Sequence, residues 1–117
     1  MPDDKTPSPG RGGPVRSQYA DDPEMAEIIE LFVGEMPRRM SDLAACWERR
    51  ELERLTHMVH QLKGASGGYG FPALGEAAGQ LERTLRQLLD GGTAVELASL
   101  QGEFGQLLEL CRSMSVR

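Results

Sequence analysis

From Met25 to Met114 the apolar residues recur at intervals of three and four, and prolines and glycines cut that periodicity into four lengths. Such spacing lays one apolar stripe along each of a series of helices. The first stripe is Met25, Ile29, Phe32, Met36, Met40, Leu43 and Trp47. Asp22 suits its N-cap and Pro23 its first position, where proline's missing N–H costs nothing and its fixed φ is already helical. Pro37 interrupts this stripe, which predicts a kinked helix or two short helices in series. The second stripe, Leu52, Leu55, Val59 and Leu62, predicts a helix from about Glu51 to about Ser66, ended by the glycines at 67, 68 and 70. The third begins near Pro72, buries Leu74, Ala78, Leu81, Leu85 and Leu88, and stops at Asp90, Gly91 and Gly92. The fourth starts near Thr93, a plausible cap, and carries Leu97, Leu100, Phe104, Leu107, Cys111 and Met114. No segment alternates as a strand would, and there is no internal repeat. Short connections force successive helices to lie antiparallel, so the expected fold class is all-α, an up-down antiparallel four-helix bundle.

Residues 1–20 have a different composition. Four prolines and three glycines occur there with almost nothing to bury, which reads as a disordered tail or linker ahead of a bundle spanning 21–117. At 117 residues the chain holds one domain with a single core. Its net charge of -5 argues against a nucleic-acid binder, which needs a basic stripe. No apolar run approaches the length of a bilayer span, and no signal-peptide core opens the chain, so a cytoplasmic protein is expected with no membrane partner. The two cysteines, Cys46 and Cys111, both fall on apolar helical positions and read as reduced, buried thiols. There is no CxxC pair, no zinc ligand set and no nucleotide-binding glycine motif, so neither a metal nor a cofactor is expected.

The residues that carry chemistry lie in HQLKGASGGYG, residues 60–70. His60, Lys63 and Gly64 are spaced by three and four on a face adjacent to the apolar stripe. Lys63, one turn on from His60, can hold an anion brought to the imidazole. Gly64 removes side-chain bulk beside the ring, at a cost of roughly 1 kcal/mol in helix propensity that asks for a reason. On the third helix one face reads Gly75, Gly79, Glu82 and Arg86. With the intervening turn centred near Phe71, His60 and Glu82 stand at about the same height on neighbouring antiparallel helices. Glu82 can then accept from imidazole Nδ1–H and leave Nε2 as a nucleophile, or it can simply pair with Arg86 at i+4. Geometry alone leaves both readings open.

These residues resemble a known family. HQLKGASGGYG followed by FPALGEAAGQLE is similar to the signature of the histidine phosphotransfer (HPt) domains, H-x-L-K-G with a further glycine downstream, and the upstream apolar pattern fits as well. The likeness covers roughly residues 24–90. It implies that His60 is phosphorylated on Nε2, that Lys63 steadies the phosphoryl oxygens, and that Glu82 orients the histidine. It implies that Gly64 keeps the site open, with Gly67, Gly75 and Gly79 completing a partner-docking face, and that Ser66 fills a small polar position. His57 has no counterpart as an acceptor and reads as structural. The expected partners are receiver domains of response regulators and a histidine or hybrid kinase. The carrier itself is expected to be a monomer and not an enzyme, the catalytic aspartates and magnesium belonging to the receiver. Two alternatives share the fold: the amino-terminal phosphotransfer segment of a chemotaxis-type kinase, and a pseudo-HPt adaptor that binds a receiver without carrying phosphate.

Overall fold

The computed structural model describes residues 15–92 and 94–115. Four helices, α1 (Pro23–Glu48), α2 (Leu52–Gly68), α3 (Pro72–Leu89) and α4 (Ala94–Arg112), run alternately up and down. The most extensive packing is between α2 and α3, then between α3 and α4, with α1 closing the bundle against α2 and α4. The architecture is the all-α four-helix bundle that the apolar stripes predict. Its core draws on every helix, with Ile29, Phe32, Leu55, Val59, Leu74, Leu81, Leu100 and Leu107 all buried. Met25, Met40 and Trp47 are partly buried at the edges of the same stripe.

The helix ends follow from local chemistry. Asp22 accepts from the Glu24 N–H at 3.0 Å and caps α1, as expected. Pro37 lies inside α1 without dividing it, so the expectation of two helices in series is not met. Proline withholds only the single N–H owed to the Val33 carbonyl, and flanking turns with a buried stripe carry the helix across. α2 continues through Gly67 and Gly68, beyond the expected end near Ser66. Gly70 is the residue that stops it: with φ +83° it allows Phe71 N–H to reach the Ser66 carbonyl at 2.8 Å and Gly70 N–H to point back to Gly67. The same closure ends α1 with no glycine at all. Arg50 takes φ +57°, donates to the Trp47 carbonyl at 2.9 Å and lays its guanidinium over the Trp47 ring. The expected cap at Thr93 and the side chain of Leu97 lie outside what the structure describes.

Two further expectations are corrected. Met114 is not the last residue of α4; it pairs with Val15 in a two-residue parallel ladder, Arg16 facing Ser115. The tail assigned to residues 1–20 therefore has its end against the bundle, while residues 1–14 lie outside the described part. Ser17 is buried and donates to the Tyr69 carbonyl, and Gln18 N–H donates to the Gly70 carbonyl at 2.6 Å. Any Cβ at Gly70 would fall 2.6 Å from Ser17 Oγ, so the same glycine that ends α2 also admits this strap. Composition missed it because, the Ser17 hydroxyl apart, its bonds to Ser113 and Gly70 are made by backbone, which every residue carries. Both cysteines are buried and free, and desolvation pushes the Cys111 thiol up to about 12.

Candidate functional site

α2 and α3 meet as an antiparallel hairpin turning on Phe71, which is fully buried and packs beside Phe32 with ring centres 5.7 Å apart. This anchor sets the register. His60 on α2 and Glu82 on α3 are brought together, with Nδ1 2.9 Å from Oε2. Arg86 reaches the same oxygen through Nε at 3.0 Å and a terminal nitrogen at 2.6 Å, and Lys63 Nζ lies 3.2 Å from Oε1. Glu82 thus meets both His60 and Arg86, the two partners that spacing left open, on one oxygen and Lys63 on the other.

Exposure separates the roles. The Glu82 side chain is only 7% exposed, while those of His60, Lys63 and Arg86 are 56%, 45% and 59% exposed. Burial of the carboxylate works to raise its pKa; hydrogen bonds from Arg86, Lys63 and His60 outweigh that and hold it down at about 2. Glu82 is thus ionised throughout the physiological range. An ionised carboxylate can only accept, so imidazole Nδ1 is the donor in this bond, and Nε2 has no hydrogen-bond partner among the described residues. The arrangement is an exposed imidazole bonded through Nδ1 to a buried carboxylate, with a cation one turn away.

The glycines divide into two pairs. Nothing lies within 4 Å of where a Cβ would stand at Gly64 or Gly67, so both leave open surface on α2. Gly75 and Gly79 do not. A Cβ on Gly75 would stand 3.6 Å from Ser66 Cβ, and one on Gly79 would stand 3.3 Å from Lys63 Cδ. Gly79 is itself buried. Of the four glycines expected to form a docking face, these two instead let α2 approach α3 and let the Lys63 stem cross to Glu82. Ser66 is likewise buried in that contact, its hydroxyl donating to the Leu62 carbonyl at 2.7 Å. His57 is exposed, one turn before His60.

The family model described as Hpt domain matches residues 27–114. This chain belongs to the Hpt domain family. No curated protein and no solved structure matches it. Members of the family are phosphocarrier modules rather than catalysts, and they serve phosphotransfer in two-component signalling through receiver domains and kinases. The match runs further than the likeness read from sequence, taking in α4, whose apolar spacing by itself was only a pattern. Among the described residues of this Hpt domain no helix is long and apolar enough to cross a membrane, and no cluster of three acidic, histidine or cysteine side chains is placed to hold a metal.

The depressed pKa of Glu82 makes a thermodynamic prediction. A carboxyl lowered from its ordinary 4.5 to about 2 on folding adds stability that is complete above the unfolded value and lost as pH falls through the folded one. Stability should therefore drop between pH 4.5 and 2. The full shift corresponds to about 3 kcal/mol, and screening of the half-exposed partners brings the expected loss to about 1–3 kcal/mol. Urea unfolding at pH 7, 4 and 2.5 measures it, with Glu82→Gln as the control that should lack this component of the slope.

Proposed function

We propose that this Hpt domain relays a phosphoryl group through Nε2 of His60, between a histidine or hybrid kinase, or its receiver domain, and the receiver domain of a response regulator in the cytoplasm. The observation that carries the reading is the bond from the exposed His60 ring to a buried, ionised carboxylate. In the step, the Nε2 lone pair attacks the phosphorus of an acyl phosphate on the receiver's aspartate. The N–P bond forms as the P–O bond breaks, and the aspartate leaves as its carboxylate. No proton has to move. The ring keeps its Nδ1 proton and becomes formally cationic, and Glu82 lies against that charge. Transfer onward is the reverse. The aspartate and the magnesium ion that steadies the transferring group are supplied by the receiver, and one Hpt monomer meets one receiver. Mixing the purified chain with a panel of phosphorylated receiver domains and probing for phosphohistidine tests the reading. Docking with no phosphohistidine on any pairing would instead identify a pseudo-HPt adaptor.

Two variants test the parts. Lys63→Ala should keep the fold, because Arg86 still pairs Glu82, but slow transfer roughly 10-fold by removing a cation beside the phosphoryl oxygens. Wild-type rates in that variant would leave Lys63 a partner of Glu82 alone. Gly64→Leu meets open space, so it should stabilise the helix by about 1 kcal/mol while blocking the receiver one turn from His60. Thermal melts and transfer rates on the same sample read the two effects; a higher melting temperature with undiminished transfer refutes the open-platform role.

A further inference from the structure

Lys63 cannot serve Glu82 and a phosphoryl group equally. At rest its ammonium lies on Glu82 Oε1, its stem crossing Gly79, and the side chain is 45% exposed and free to turn outward. Once it does, Oε1 loses that partner, and a side chain 7% exposed has little water to take its place. Arg86 is the other cation on this carboxylate among the described residues. It sits one helical turn on from Glu82 and places two N–H groups on Oε2, the oxygen that accepts from His60. We propose that Arg86 is a positioning residue: it holds Glu82 on the His60 Nδ1–H while Lys63 exchanges Glu82 for the phosphoryl group. The inference rests on the phosphorelay reading and deepens it.

The charges agree with this exchange. With the ring in the unprotonated form that attack by Nε2 requires, the two cations and one carboxylate leave a single positive charge in excess. The transferred PO3 unit brings one negative charge, and the phosphorylated site becomes neutral overall. Without Arg86 the same site ends one charge negative, and the buried carboxylate and the phosphoryl group then compete for Lys63 alone. The phosphohistidine side of the equilibrium is weakened.

The experiment has two arms. The first needs no phosphate: 15N NMR of the resting His60 ring reads its tautomer. The Nδ1–H form should persist in Lys63→Ala, where Arg86 suffices, and give way to a tautomer mixture in Lys63→Ala/Arg86→Ala. The second arm measures the transfer equilibrium with a phosphorylated receiver. Arg86→Ala should shift it roughly 10-fold toward the receiver, and Arg86→Lys should recover part of the loss by restoring charge without the second N–H. Arg86→Gln, which keeps the stem, takes the place of alanine in both arms if the alanine variant fails to fold. An unchanged tautomer in the double variant, or a wild-type equilibrium with Arg86 neutralised, overturns the proposal. Absence of phosphohistidine in the wild type would strike the phosphorelay reading instead, and the tautomer arm would still judge Arg86.

Discussion

His60→Gln is expected to fold like the wild type and to take no phosphoryl group. The amide nitrogen of glutamine has its lone pair delocalised into the carbonyl, so nothing at that position replaces the imidazole Nε2. The fold survives because the ring is more than half exposed and Glu82 keeps Lys63 and Arg86 when its bond to the ring goes. The change in unfolding free energy should stay within about 2 kcal/mol, the worth of one half-buried hydrogen bond to a carboxylate. Phosphohistidine detection after incubation with a phosphorylated receiver, beside a urea melt, reads both parts. Label that persists, or that moves to His57 one turn away, would remove His60 as the acceptor.

Phe71→Ala should cost about 3–5 kcal/mol, the usual loss when a fully buried aromatic ring leaves a cavity. For a domain of this size that lowers the melting temperature by roughly 12–30 °C. The effect reaches the site because Phe71 pins the turn from which His60 and Glu82 are each eleven residues distant. Loosening that anchor lets α2 and α3 shift in register, and one residue of slip rotates Glu82 away from the ring. Calorimetry measures the stability loss. The His60 tautomer, followed by NMR below the transition, measures the register. A melting temperature within a few degrees of wild type would mean that Phe32 and its neighbours collapse into the space and that the turn is held elsewhere, for example by the bond of Gln18 to Gly70.

Helices, their inner faces and most of the site were legible in the sequence because each depends on residues three or four apart. Periodicity located Leu55, Val59 and Leu62 in the core, the Asp22–Pro23 pair located the start of α1, and a short turn of known position located Glu82 opposite His60. What tertiary structure decided involves residues far apart in the chain or contacts that carry no side-chain signature. Gly75 and Gly79 look on paper like Gly64, a glycine on a helix face; only the approach of α2 makes them contact points and leaves Gly64 open. Whether Glu82 served His60 or Arg86 could not be chosen from spacing, since both spacings were satisfactory; three dimensions supply both partners and add Lys63. The strap from Val15 to Gln18 was invisible because backbone bonds to Ser113 and Gly70 leave no pattern in composition. Local sequence determined what each helix buries and which face holds His60, because those are matters of helical geometry. Which of the exposed groups meet was decided by packing, because one buried carboxylate is reached by side chains from two helices.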